Sequence, residues 1–287
     1  MKIAISTEMD YLGNPQMCRS ILNQDYMDFV KIAGYSPYIV CVGMDVHTIA
    51  ADMDGLLLSG GKDVSPLMYG EDLGWNGAQK CNLVRDTFEH NLYNAFLAVG
   101  KPVFGICRGF QLVALFSNDR LSKVFEQDIN KLKSVTQLHQ QGSADITGDN
   151  PVHTIECRGV MEKLVGKKLD VNSFHHQGFV MGSTTADHGW IRQCEDIFCW
   201  ARSRESARVL EAFGMMVDGI RVAGVQYHPE RMMRRATDRS KHLALFQYTM
   251  GTLECDWEPS PPPTAHILNV THPFLKRRNR HGKLNSR

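Results

Sequence analysis

At 287 residues, 43% of them apolar, the chain has enough sequence for a sizeable core, as one large α/β domain or two small ones. Its formal net charge of +1 excludes a global electrostatic pull toward nucleic acid, membrane surfaces or acidic substrates, so charge effects must be local. No run approaches the roughly 18 apolar residues of a membrane span, and the opening MKIAIST is too short for the apolar core of a signal peptide.

KIAIS (2–6), SPYIVCV (36–42), DGLLLSG (54–60) and PVFGIC (102–107) are short apolar runs of strand type. Between them, 24–33 and 83–98 carry apolar residues at intervals of three and four, which predicts crossover helices. Strands alternating with helices call for a parallel sheet covered on both faces. The second half changes texture. VHTIEC (152–157), LDVNSF (169–174), DIFCWAR (196–202), RVLEAF (208–213) and RVAGVQY (221–227) follow one another with few helical gaps, which predicts antiparallel additions to the same sheet. The expected fold is α/β: a three-layer αβα, flavodoxin-like arrangement whose sheet is mostly parallel, with antiparallel strands in the second half.

One domain is expected over 1–253. Beyond it, EPSPPPTAH (258–266) cannot be helix or central strand, because each proline fixes φ and removes a donor. The stretch 254–287 therefore reads as a proline-rich linker and a basic tail. From Thr271 to Arg287 the tail holds Lys276, Arg277, Arg278, Arg280, Lys283 and Arg287 and no acid. It is expected to be solvated, with an arm for nucleic acid or an acidic partner as the alternative.

Cysteines are scattered at 18, 41, 81, 107, 157, 194, 199 and 255, with no CxxC pair and no zinc-like Cys/His spacing. In a chain of this length that usage predicts reduced thiols and a cytoplasmic setting. One cysteine stands apart. GICRGF (105–110) puts Cys107 between Gly105 and Gly109, where a strand must turn sharply into a helix. A residue at such a turn is held out from the C-terminal edge of the sheet, where open α/β folds bind ligands. The flanking glycines leave space for a strained turn with close packing beneath it, as in the serine-centred elbow of hydrolases. The helix after the turn aims its N-terminus at the sulfur; its dipole, its free N–H groups and the charge of Arg108 favour a thiolate.

A nucleophilic cysteine needs a proton-transfer partner, normally a histidine positioned by a third group. GVQYHPE (224–230) supplies one: Pro229 ends a strand and leaves His228 at its end, with Glu230 two residues on. A carboxylate at that spacing can hold the imidazole tautomer and support the imidazolium that forms during attack.

G-x-C-x-G-x-Q (Gly105, Cys107, Gly109, Gln111), followed more than a hundred residues later by H-P-E (His228–Glu230), resembles the class I glutamine amidotransferase superfamily. SGGKDVSPLMYGE (59–71), VNSFHHQ (171–177) and VQYHPE look like its γ-glutamyl hydrolase branch, the peptidase C26 group that includes γ-glutamyl-γ-aminobutyrate hydrolase. The resemblance implies Cys107 as nucleophile, His228 as general base and then acid, and Glu230 as its orienting partner. It implies an oxyanion hole made by the backbone N–H groups of Gly61 and Arg108. It further implies that Ser173, His175, His176 and Gln177, with Gln111 on the other side, hold the glutamyl head group. No metal or organic cofactor is implied. FSNDRLSKVFEQD (116–128) departs from the family pattern of a glycine pair and a short strand, so a reshaped loop at the wall of the substrate pocket is expected.

The implied activity is hydrolysis of the γ-amide of a small γ-glutamyl compound through a glutamyl thioester on Cys107. Two alternatives stand beside it. One is a glutaminase subunit that passes ammonia to a separate synthetase partner. The other is a non-catalytic adaptor that uses the basic tail 271–287.

Overall fold

A computed structural model describes residues 1–11, 17–69, 81–117, 147–179, 198–203, 209–235 and 237–255. The first half runs β1 (Lys2–Ser6), a hairpin of β2 (Glu8–Tyr11) and β3 (Cys18–Ile21), α1 (Gln24–Ile32), β4 (Ser36–Val40) and α2 (Val46–Asp52). It continues with β5 (Gly55–Leu58), α3 (Leu83–Ala98), β6 (Val103–Ile106) and α4 (Arg108–Ser117). The second half runs β7 (His153–Cys157), α5 (Gly159–Val165), β8 (Lys168–Val171), β9 (Phe198–Ser203), β10 (Leu210–Val217), β11 (Ile220–Val225), α6 (Pro229–Met232) and α7 (Arg239–Thr249).

The main sheet orders its described strands β4-β1-β5-β6-β11-β10-β9-β7-β8. From β4 to β11 every neighbouring pair is parallel. From β11 outward through β10, β9, β7 and β8 every pair is antiparallel. The expected parallel half and antiparallel half are therefore both present.

Why the central strands read as unbroken apolar runs is explained by their two buried faces. Ile3 and Ile5 of β1, Leu57 of β5 and Phe104 and Ile106 of β6 point into one core, which α1, α5 and α7 cover with Phe29, Val30, Val160, Met161, Leu245 and Phe246. The alternate residues Ala4, Leu56, Leu58 and Val103 point into the second core, closed by α2, α3 and α4 through Ile49, Leu92, Phe96, Phe110 and Val113. The period of two along each strand thus divides one sheet between two helical layers.

Several elements escape the sequence reading for physical reasons. The β2–β3 hairpin has mostly exposed or half-exposed residues and so carries no burial alternation. The helix α2 is a short segment started by Asp45, whose carboxylate accepts the Thr48 N–H at 3.0 Å. In α7, buried His242 and Thr249 lie among the apolar residues and blur the helical period. The strand expected to reach Tyr227 ends at Val225, and His228 instead stands at the N-terminus of α6. No helix among the described residues is long and apolar enough to cross a membrane. The expected loop beyond Ser117, Gly70 and Glu71 of the 59–71 motif, and the tail from 256 lie outside the described residues.

Candidate active site

β6 and β11 are parallel neighbours, with Ile106 opposite Val225, so the segments that leave their C-terminal ends emerge at the same sheet edge. Cys107 is the first residue after β6, and its N–H donates to the Val225 carbonyl at 2.9 Å. The chain then turns into α4 within one residue. Cys107 takes φ 53°, a left-handed conformation that costs a non-glycine residue on the order of 1–2 kcal/mol and is kept only where the surroundings enforce it. Close packing does the enforcing here. A Cβ on Gly105 would collide with the Gly109 backbone, and one on Gly109 with the Leu58 carbonyl oxygen. The sulfur-bearing residue is nearly enclosed, at 6% exposure, at the N-terminus of α4.

His228 is held on both sides of its ring and along its backbone. Its Nδ1–H donates to Glu230 Oε1 at 2.6 Å, and Glu230 is itself buried in the first turn of α6. The Cys107 side chain lies on the same side of the loop after β5 as the imidazole, both within 3.6 Å of where a Cβ on Gly60 would stand. Burial disfavours the charged ring, yet the anionic Glu230 and Cys107 side chains outweigh it and raise the imidazole pKa to about 10. The phenyl ring of Phe174 meets the imidazole edge-on at 5.7 Å, and the Arg231 guanidinium lies over that phenyl ring at 4.4 Å. Asn172 fixes the backbone. Its Oδ1 accepts the His228 N–H at 2.8 Å, and its Nδ2 donates to the His228 carbonyl at 2.9 Å and to the Gly148 carbonyl at 2.7 Å.

The loop after β5 closes over this pair. A Cβ on Gly60 would stand 3.1 Å from His228 Cε1 and 3.6 Å from Cys107 Cβ, so glycine at this position lets the loop lie against both. The Gly60 N–H donates to the Tyr26 hydroxyl at 2.9 Å. Burial, joined by the charges of Glu230 and Cys107, pushes the Tyr26 phenol well up, so it stays protonated. Gly61 has φ 141°, a value that favours glycine. Among the described residues the N–H groups of Gly61 and Arg108 have no hydrogen-bond partner.

The Arg108 side chain does not reach toward the sulfur as the sequence suggests. It is buried and ion-paired to Asp86 and Glu89 of α3. Glu89 also accepts Arg85 Nε at 3.1 Å, and Arg85 Nη2 donates to Ser59 O, Ser59 Oγ and Gly60 O at 3.2, 3.0 and 2.9 Å. Burial would raise the Glu89 carboxyl, but Arg108 and Arg85 override it and hold the group ionised.

The residues expected at the head group divide into two sets. Gln111 Nε2 donates to the Gln177 carbonyl at 3.1 Å and to Gln226 Oε1 at 3.2 Å, and His175 Nδ1–H donates to the same Gln177 carbonyl at 2.9 Å. These four residues form a polar cluster that begins on α4, the helix of the elbow, and Ser173 is fully buried. His176 points elsewhere: its Nε2 meets both Asp63 carboxylate oxygens, at 3.0 and 3.1 Å, in a partly exposed pair that joins the 172–178 turn to the loop after β5. No group of three or more His, Cys, Asp or Glu side chains among the described residues is arranged to hold a metal ion.

Asn172, Tyr26, Asp63, Arg85, Asp86 and Glu89 are missed by sequence reasoning. A signal existed for part of this set. Arg85 and Glu89 recur on the α3 face that also carries Phe88, Leu92 and Phe96, and charges on an apolar stripe are buried partners rather than solvated ones.

Comparison with known proteins agrees with this architecture. A Schizosaccharomyces pombe protein that carries a glutamine amidotransferase name, PB2B2.05, is 28% identical over 239 residues, spanning 79% of this chain and 80% of that one. The glutamine amidotransferase-like protein YvdE of Lactococcus lactis is 30% identical over 182 residues, 59% of this chain and 71% of that one. Among solved structures, a protein described as a GMP synthase subunit, from Thermoplasma acidophilum, shares the fold, with a TM-score of 0.50 at 14% identity over 88% of this chain and 93% of that chain. Residues 3–230 match the Peptidase C26 family, from β1 through the His228–Glu230 pair, and the chain belongs to that family.

Proposed function

We propose that the protein is a cysteine-dependent hydrolase that cleaves the γ-amide bond of a small γ-glutamyl compound, with Cys107, His228 and Glu230 as its catalytic triad. The observation that carries the reading is the meeting of a left-handed Cys107 with an imidazole that Glu230 holds at 2.6 Å. The raised pKa of His228 favours an imidazolium beside the sulfur, the form that can give a proton to a departing amine.

The chemistry proceeds in two halves. The Cys107 sulfur attacks the γ-carbonyl carbon, an S–C bond forms, and the N–H groups of Gly61 and Arg108 receive the charge that gathers on oxygen. As the C–N bond breaks, the departing amine takes a proton from His228, leaving a thioester. Acylation also removes the sulfur's negative charge, one of the two that raise His228. The imidazole therefore holds a proton less tightly than in the free enzyme, which suits it to take a proton from water and pass it on. Water then attacks the thioester, glutamate leaves, and the proton on His228 restores the starting pair with the freed thiolate.

The name of the fission yeast relative supports a second reading, a glutaminase that gives its ammonia to a synthetase partner. One experiment addresses both. Glutamate release is measured from a panel of γ-glutamyl amines, γ-glutamyl amino acids and glutamine, for wild type and Cys107→Ala side by side. The hydrolase reading expects turnover by the isolated protein on a γ-glutamyl amine or amino acid and none by Cys107→Ala, whose fold is retained. Undiminished release by the variant excludes the mechanism. Silence on every compound but glutamine, with glutamine turnover rising when a synthetase is added, selects the second reading.

A further inference from the structure

We propose that Arg85 is the positioning residue of the oxyanion loop: it grips the carbonyls of Ser59 and Gly60 from below and so turns the Gly61 N–H to the side where Gly60 faces Cys107 and His228. The inference rests on the proposed function, in which Cys107 performs acyl transfer.

A trans peptide points its C=O and its N–H in opposite directions. The Gly60 carbonyl and the Gly61 N–H belong to one such peptide, and no described peptide is cis. With the carbonyl held by Arg85 Nη2 at 2.9 Å in the buried layer, the N–H must face the other way. Without that hold little would fix the plane, since residues on both sides of it are glycines and glycine admits either orientation. A flipped peptide would present an oxygen to the developing oxyanion in place of a donor.

The surroundings fit this task. Ser59 is tied to β1 as well, its Oγ–H donating to Ser6 O at 2.7 Å and its N–H to Ser6 Oγ at 3.1 Å. A Cβ on Gly61 would collide with Arg85 Nη1, so only glycine lets the guanidinium lie this close. Glu89 is bound by Arg85 Nε on one side and by Arg108 on the other. One carboxylate therefore joins the two arginines that anchor the two proposed donor residues: Arg85 beneath Gly61, and Arg108 through its own side chain.

Arg85→Lys tests the idea, because lysine keeps the charge but lacks the planar fork that reaches Glu89 and both carbonyls together. Two reactions of Cys107 are compared by peptide mass spectrometry. p-Nitrophenyl acetate acylates the sulfur: an S–C bond forms, charge develops on the carbonyl oxygen, and p-nitrophenolate leaves as the C–O bond breaks. Iodoacetamide alkylates the same sulfur at a saturated carbon, iodide leaves, and no oxyanion arises. Arg85→Lys should slow acylation on the order of 10²-fold, as loss of one oxyanion donor does, and leave the alkylation rate unchanged. Wild-type acylation, or equal slowing of both reactions, overturns the proposal. If Arg85→Lys does not fold, Arg85→Gln is put through the same comparison. The simple ester makes no demand on glutamyl recognition. A wild type that accepts the ester but releases no glutamate from any γ-glutamyl compound removes the substrate reading and leaves Arg85 judged on the two rates.

Discussion

Asn172 lies 56 residues from His228 in sequence, yet it satisfies both the N–H and the carbonyl of that residue from a fully buried site. Replacing it with alanine strands the His228 N–H in the interior and takes one donor each from the Gly148 carbonyl and the His228 carbonyl, which keeps the Arg231 N–H at 3.3 Å. A buried group left unpaired costs about 1–3 kcal/mol, and carbonyls tolerate the loss of one donor better than an N–H tolerates the loss of its acceptor, so a destabilisation of about 1–3 kcal/mol is expected. Asn172→Asp is the sharper test. It keeps the shape and can still accept the His228 N–H, but it puts a carboxylate oxygen where Nδ2 now donates to two carbonyls. It should therefore be at least as damaging as alanine. Urea unfolding with linear extrapolation reads the stability, and glutamate release reads the activity. Because a displacement of about 1 Å can cost on the order of 10²-fold in rate, a loss of that size is expected in either variant that folds. An aspartate variant with wild-type midpoint and turnover would refute the claim that Asn172 sets the position of His228.

The pH dependence has a definite sign. Glu230 is one of the charges that raise His228 to about 10, so the alkaline limb of kcat/KM should lie near that pH in wild type and move to lower pH in Glu230→Gln; an unmoved limb counts against the pairing. The same raised pKa contributes stability that is fully present below the unfolded value of about 6.5 and is lost as pH rises through about 10, so pH-resolved unfolding should show wild type losing stability on that limb more than the glutamine variant. Gly109→Ala would drive its Cβ into the Leu58 carbonyl oxygen, and a destabilisation of about 3 kcal/mol is expected from the overpacking. Unchanged unfolding of that variant would show that α4 does not sit this tightly on β5.

What the sequence makes legible is whatever is encoded within a few residues. The strands of the parallel half announce themselves because burial on two faces leaves no polar position in GLLL or VFGI. Cys107 is legible because the glycines two residues before and after it describe a close approach that only a sharp turn requires. His228 and Glu230 are legible as a pair because two residues of separation suffice for the contact. The rest depends on closure of the chain. The hold of Asn172 on His228, the Tyr26 hydroxyl under Gly60 and the Asp63–His176 pair each join segments tens of residues apart, and no local period records them. Arg108 shows the limit most plainly. Its backbone position is encoded in the motif, whereas the direction of its side chain is decided by Asp86 and Glu89 on a different helix.

Stability alone does not account for burying Arg85, Asp86, Glu89 and Arg108 together. An apolar set of similar volume often replaces a buried ion-pair group at no loss, or with a gain of about 1–4 kcal/mol. What apolar side chains cannot do is hold a carbonyl. A leucine at 85 could fill the space between α3 and the loop and would donate nothing to Ser59 or Gly60, leaving two adjacent glycines free to choose their peptide planes. The same reasoning explains why the Arg108 guanidinium is turned from the sulfur. A second cation beside Cys107 would lower the tendency of His228 to carry its proton, whereas an arginine neutralised by Asp86 and Glu89 leaves the raised pKa of His228 to Glu230 and Cys107. On the proposed function, the charges beneath the loop set geometry, and the charge within the site is that of the proposed reacting pair.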